Sequence, residues 1–75
     1  MKMDETLDLR GLKCPLPALL AKKAVAKLAP GVALRVLADD PLSVVDIPHM
    51  CSTEGHLLTE QTTQDGHHAF VIERA

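Results

Sequence analysis

The stretch that decides the fold is Leu16-Pro17-Ala18-Leu19-Leu20-Ala21-Lys22-Lys23-Ala24-Val25-Ala26-Lys27-Leu28, then Ala29-Pro30-Gly31, then Val32-Ala33-Leu34-Arg35-Val36-Leu37-Ala38. In the first part Leu16, Leu20, Ala24 and Leu28 recur every four positions with Leu19 beside them, and the lysines lie off that line, the pattern of an amphipathic helix. Pro30-Gly31 stops it. Beyond the stop the period drops to two, and Val32, Leu34, Val36 and Ala38 alternate with a set that is only partly polar, which predicts a largely buried strand.

Working outward, Leu7 and Leu9 alternate with Thr6, Asp8 and Arg10 until Gly11, a short strand before the helix. After Asp39-Asp40-Pro41 the apolar residues Val44, Val45, Ile47, Met50 and Cys51 take helical spacing, with Pro48 among them. A proline in a helix interior costs ~3 kcal/mol, whereas in the first turn its missing N–H costs nothing. The reading is therefore a turn near Pro41 to Val45, Asp46 as N-cap, and a helix from Ile47 to Glu54 closed by Gly55. His56 to Gln64 and Ala69 to Arg74 read as strands, joined by the tight-hairpin signal Asp65-Gly66. The order is β-α-β-α-β-β. Right-handed crossovers put both helices on one face, so the expected fold is α/β (α+β), a two-layer sandwich with a mixed four-stranded sheet, in a single domain spanning 1–75.

The chain has 75 residues, 47% of them apolar and 24% charged, which is globular composition with a thin core. No apolar run approaches the ~20 residues of a membrane span. Met1-Lys2-Met3-Asp4-Glu5 lacks the apolar region and cleavage site of a signal peptide, and a cytoplasmic location is expected. Net charge is −2, with one Phe and no Tyr or Trp, which disfavours general nucleic-acid binding. Arg10, Lys13, Lys22, Lys23 and Lys27 cluster early, a segregation suited to docking a charged protein partner. The free protein is expected to be a monomer.

Cys14, in Cys14-Pro15-Leu16-Pro17, is the candidate reactive residue. It follows a Gly11-Leu12-Lys13 loop and precedes the first helix, where the positive end of the helix dipole stabilises a thiolate. Arg10 and Lys13 are available as cationic neighbours. Pro15 and Pro17 remove two of the N–H groups a helix start leaves unpaired and stiffen the segment. No general base is near in sequence, since His49, His56, His67 and His68 are all distant, so the site reads as a handle used by other proteins rather than a self-sufficient catalyst. Cys51, 37 positions away without a Cys-x-x-Cys spacing, reads as a buried structural thiol. His67-His68 reads as two exposed polar residues rather than a metal site, and His56 as a helix-end residue meeting a carbonyl or the negative dipole end. Lys22, Lys23 and Lys27 fit a solvated helix face and a partner-docking surface equally well.

The run Leu7-Asp8-Leu9-Arg10-Gly11-Leu12-Lys13-Cys14-Pro15-Leu16-Pro17 resembles the signature of the TusA (SirA-like) sulfur-carrier family. Lys22-Lys23-Ala24, Asp39-Asp40-Pro41, Asp46-Ile47-Pro48, Cys51 and Gly55-His56 follow in the family's order, so the resemblance covers nearly the whole chain. Met50 stands where relatives often have Phe, a core exchange. The resemblance implies the β-α-β-α-β-β sandwich, similar to the C-terminal domain of a bacterial translation initiation factor. It also implies that Cys14 accepts sulfane sulfur from a cysteine desulfurase or rhodanese-like donor and relays it as a persulfide to an acceptor protein, acting with partner enzymes and without a cofactor or metal. Relatives serve tRNA thiolation, molybdenum-cofactor assembly or sulfur oxidation. Two other classes compete: a thiol redox protein pairing Cys14 with Cys51, which needs their Cα atoms within ~7 Å, and a non-catalytic regulatory or nucleic-acid-binding module.

Overall fold

Alternating burial along the strand after Pro30-Gly31 organises the molecule. Leu34, Val36 and Ala38 turn inward while Ala33, Arg35 and Leu37 face the other side. The computed structural model describes residues 5–75; the N-terminal reading on Met1 to Asp4 lies outside the described residues. Its elements are β1 (Thr6–Asp8), α1 (Leu16–Ala26), β2 (Ala33–Ala38), α2 (Ser43–Glu54), β3 (Leu57–Gln64) and β4 (His67–Glu73), in the expected order. One sheet results, with strand order β1-β2-β4-β3. β1 runs parallel to β2, as a helical crossover demands, and β4 pairs antiparallel with both β2 and β3. Two helices and a mixed four-stranded sheet make the α+β fold anticipated above.

The hairpin turns where Asp65-Gly66 predicts it. Both residues have positive φ, 53° and 80°, the combination a two-residue type I′ turn requires. At the other end of β3, Gly55 closes α2 in the left-handed conformation, and the His56 N–H reaches back to the Cys51 carbonyl at 2.8 Å, a Schellman-type cap. His56 thus meets a carbonyl through its backbone, while its Nδ1 accepts from the Ala75 N–H at 3.2 Å.

Between sheet and helices lies a core built on Phe70, Ile47, Ile72, Val25 and Val36, all fully buried. Each such side chain contributes roughly 1.5–3 kcal/mol of transfer free energy. Phe70 and Ile72 sit directly across from Val36 and Leu34 in the β2·β4 register, so the two central strands present one continuous apolar face. Met50 and Cys51 belong to this core, in agreement with the structural reading of Cys51.

Two local expectations need correction. The buried line of α1 is Pro17, Ala21 and Val25, one position round from the line through Leu16, Leu20, Ala24 and Leu28. Leu20, Ala24 and Leu28 are only half-buried, and Leu16 and Leu19 are 44% and 50% exposed. Small and medium side chains let the helix lie close to the sheet, and Leu16 and Leu19 are left outside. The second correction is in α2, which begins at Ser43 rather than Ile47, with Leu42 at the N-cap position and no side-chain cap. A turn held by the Ser43 hydroxyl donating to the Asp40 carbonyl starts the helix early. Pro48 is therefore inside the helix, where the Val44 carbonyl loses its i+4 donor, and Asp46 is a helical residue whose side chain is free for another partner.

Candidate functional site

The Cys14 loop is held by two consecutive acidic residues at the end of β2. Leu9 continues the parallel pairing by donating its N–H to the Leu37 carbonyl at 2.8 Å, and the chain then turns through Arg10 and Gly11. The Gly11 N–H donates to Asp39 Oδ1 at 3.0 Å, and the Cys14 N–H donates to Asp40 Oδ2 at 2.7 Å. Asp40 is itself buried. Behind the cysteine, the Leu16 N–H donates to the Lys13 carbonyl and the Leu19 N–H to the Pro15 carbonyl, at 2.8 and 3.1 Å. Pro15 occupies the N-cap position with no side-chain cap, and Pro17 follows in the first turn, so the proline arrangement read from the sequence starts the helix.

Cys14 is exposed, and its thiol donates to Asp46 Oδ2 on α2 at 2.8 Å. This carboxylate is the residue that sequence reasoning missed. A local reading gives it a capping role, because such a reading has no access to a contact 32 positions away. The Asp46-Ile47-Pro48 block was the available signal.

Electrostatics at the thiol run opposite to the sequence expectation. The hydrogen bond to Asp46 pushes the Cys14 pKa up, and partial desolvation and the charges of Asp46 and Asp40 push in the same direction. The α1 dipole is worth about 0.3–1 kcal/mol at an exposed site, which a full carboxylate at hydrogen-bond distance outweighs. Arg10 is engaged elsewhere, in a two-pronged pair with Asp8 through Nε at 2.9 Å and Nη2 at 2.8 Å. That pair lowers the Asp8 pKa to about 2. Lys13 is exposed on the loop and does not figure among the charges that shift the thiol. In the free protein Cys14 is thus a hydrogen-bonded thiol rather than a stabilised thiolate.

A groove of about 460 Å³ runs from Cys14 between the two helices. Pro15, Ala18, Leu19 and Met50 give it an apolar floor and wall; Asp46 and His49 edge it near the thiol, and Lys22, Thr53 and Glu54 edge it too. Lys22 Nζ lies 3.4 Å from Glu54 Oε2, an exposed ion pair across the helices. Of the three candidate docking lysines, Lys22 alone lines this groove, while Lys23 on α1 and Lys27 at its C-cap are exposed outside it. Among the described residues the large apolar side chains left exposed are Leu16, Leu19, Leu42, Val45 and Leu57, and the first four lie on the helix starts that flank Cys14 and Asp46.

Cys51 is free and 2% exposed, its pKa raised by burial. Cys14 has no second exposed thiol to pair with. His67 and His68 open β4, and His68 Nδ1 lies 2.9 Å from the Thr63 hydroxyl with its ring tilted against Phe70. No described helix is long and apolar enough to cross a membrane.

Comparison with known proteins gives a consistent answer. Residues 5–74 match the family model described as sulfurtransferase TusA. Proteins named as sulfur carriers in Neisseria meningitidis serogroups A and B are each 46% identical over 69 residues, covering 92% of this chain and 93% of theirs. The crystal structure of a SirA-like protein from Desulfitobacterium hafniense superposes with a TM-score of 0.83 at 32% identity, covering 93% of this chain and 96% of that one.

Proposed function

The chain belongs to the TusA family of sulfur carriers, and from that premise we propose that it carries sulfane sulfur as a persulfide on Cys14, between a donor enzyme and an acceptor protein. The observation that carries the reading is the exposed Cys14 thiol, fixed through its own backbone N–H to Asp40 at one end of an apolar groove.

In loading, Cys14 Sγ attacks the terminal sulfur of a donor Cys–S–SH. A new S–S bond forms on Cys14, the donor's own S–S bond breaks, and the donor leaves as a thiolate while the Cys14 proton is released to it or to solvent. Unloading is the same exchange, with an acceptor nucleophile attacking the outer sulfur and Cys14 leaving. The sulfane sulfur keeps its oxidation state throughout, so no oxidant, metal or cofactor is required of the carrier. The donor is a cysteine desulfurase or rhodanese-like enzyme, and the acceptor belongs to a sulfur-using pathway in the cytoplasm such as tRNA thiolation, molybdenum-cofactor assembly or sulfur oxidation. The raised thiol pKa suits a carrier that stays quiet when alone and is activated on its partner.

A redox role pairing Cys14 with Cys51 is disfavoured by the burial of Cys51 in the core. The test is incubation with cysteine and a pyridoxal phosphate-loaded cysteine desulfurase, or with a rhodanese and thiosulfate, followed by intact mass measurement. One added sulfur is expected on wild type and on Cys51→Ser, and none on Cys14→Ser. Failure of wild type to load from several desulfurases and rhodaneses would overturn the reading.

A further inference from the structure

A carrier has to be handled differently when empty and when loaded, and the contact between Cys14 and Asp46 is one that those two states cannot share. We propose that Asp46 is a positioning residue that distinguishes them: its Oδ2 accepts the hydrogen of the empty Cys14 thiol at 2.8 Å, and the same carboxylate repels a persulfide anion, turning the outer sulfur away from α2 toward a partner. The inference rests on Cys14 being the loaded residue.

The chemistry follows from what each sulfur state offers. A neutral thiol has one S–H donor, and a carboxylate only accepts, so the empty state matches Asp46. A hydropersulfide is more acidic than its parent thiol and is an anion at neutral pH; it has no hydrogen to give. Two like charges at that separation repel, most strongly where protein displaces water. Of the remaining charged groups, one adds to this and two of the cations are engaged elsewhere. Asp40, on the loop after β2, adds negative charge on the backbone side of the cysteine. Lys22 on α1 is paired with Glu54, and Arg10 is paired with Asp8. His49 stands one turn from Asp46 on α2, 3.5 Å from the Thr53 hydroxyl, and Lys13 precedes the cysteine on its loop.

The Cys14 side chain is exposed, so rotation away from Asp46 carries the outer sulfur into solvent with no core residue in motion. Loading would thereby break the hydrogen bond that quiets the empty carrier and present the cargo in one step.

The test compares wild type with Asp46→Asn, which keeps a hydrogen-bond acceptor without the charge, and Asp46→Glu, which keeps the charge. Amide spectra establish that each variant is folded. In the empty proteins the pH midpoint of Cys14 is read from the ¹³Cβ shift of labelled cysteine. Asp46→Asn is expected to lower it by about one unit or more, which raises alkylation by neutral iodoacetamide at pH 7.5 about tenfold. Asp46→Glu is expected to hold the midpoint nearer wild type. Sulfane sulfur is then placed on Cys14 with inorganic polysulfide, with no partner enzyme present, and the loaded forms are alkylated. Here the order should reverse, wild type reacting several-fold faster than Asp46→Asn because its outer sulfur is turned outward. An unchanged midpoint in both variants, an equal drop in both, or the same rank order in the empty and loaded states would overturn the proposal. Inability of polysulfide or enzymes to load Cys14 would instead sink the carrier reading together with the loaded half of this one, leaving the empty-state midpoint as a separate result.

Discussion

Cys14 and Asp40 are joined across 26 positions of sequence by a 2.7 Å hydrogen bond from the cysteine N–H to Asp40 Oδ2. Asp40 is 8% exposed, and the Ser43 hydroxyl donates to its carbonyl, so one residue both anchors the cysteine loop and starts α2. The loop and the helix bearing Asp46 are consequently positioned from the same point.

Asp40→Ala should therefore loosen the cysteine loop, which hangs on the side chain, while keeping the backbone carbonyl that starts α2. A hydrogen bond to a charged group is worth about 1.5–3 kcal/mol, and the exposed loop recovers part of that from water. We expect a loss of about 1–2 kcal/mol in urea unfolding and slower sulfur loading, with Asp40→Asn intermediate because its amide oxygen still accepts. Unchanged stability in the alanine variant would mean that the bond does not hold the loop.

Arg10 supports the turn after β1 rather than the thiol, through its pair with Asp8. Asp8, held down to about 2, should stay ionised to about that pH in a carboxyl NMR titration. The sign is that of a depressed carboxylate: whatever the pair adds to stability is present above the ordinary Asp value and is lost as pH falls through about 2. Both groups are exposed, so salt weakens the effect. In Arg10→Ala, Asp8 is expected to return to the ordinary carboxylate range while the pH midpoint of Cys14 stays where it was. A shift of that midpoint would restore Arg10 as a thiolate partner.

Phe70 is the chain's one Phe, with no Tyr or Trp beside it, and is fully buried opposite Val36 on the neighbouring strand's inward face. Phe70→Ala should cost about 3–5 kcal/mol. A domain of this size has roughly 4–11 kcal/mol in total, and each kcal/mol is worth about 4–8 °C in melting temperature, so the variant should melt at least about 12 °C below wild type. Phe70→Leu, which conserves most of the volume, should retain a cooperative transition. A melting curve of Phe70→Ala close to wild type would contradict the core described here.

What the sequence made legible was whatever a short window encodes. The alternation around Leu34 to Ala38, the Pro30-Gly31 stop and the Asp65-Gly66 turn each act over a few residues, and the elements follow them. The cysteine loop with its prolines was legible for the same reason. Asp46 is not legible in this way, because its cap-like position before Ile47 and Pro48 is a local signal, while the contact that matters comes from a distant loop brought alongside α2 by the sheet. The buried face of α1 is hidden for a different reason. Hydrophobicity alone turns leucines inward, whereas the helix packs through Pro17, Ala21 and Val25.

Those displaced leucines lead to the last prediction. Leu19 is half exposed on the wall of the groove beside Cys14, and Leu16 lies nearer the cysteine on the same helix. With Leu42 and Val45 on the facing helix start, they give the reactive end an apolar rim that the core does not use. Exposed side chains of this kind contribute little to folding, so Leu19→Ala should change stability by no more than about 0.5 kcal/mol. Apolar contacts near the centre of a protein interface, in contrast, commonly cost more than about 1 kcal/mol when truncated. Loading of Leu19→Ala by a donor enzyme should therefore need a several-fold higher carrier concentration for half-maximal rate, while chemical loading of Cys14 by polysulfide proceeds as in wild type. Lys23→Ala, altered on the same helix but outside the groove, is the control and should leave both unchanged apart from a small salt-dependent effect on association. If Leu19→Ala loads from the enzyme at wild-type concentrations, the rim is not where the donor docks.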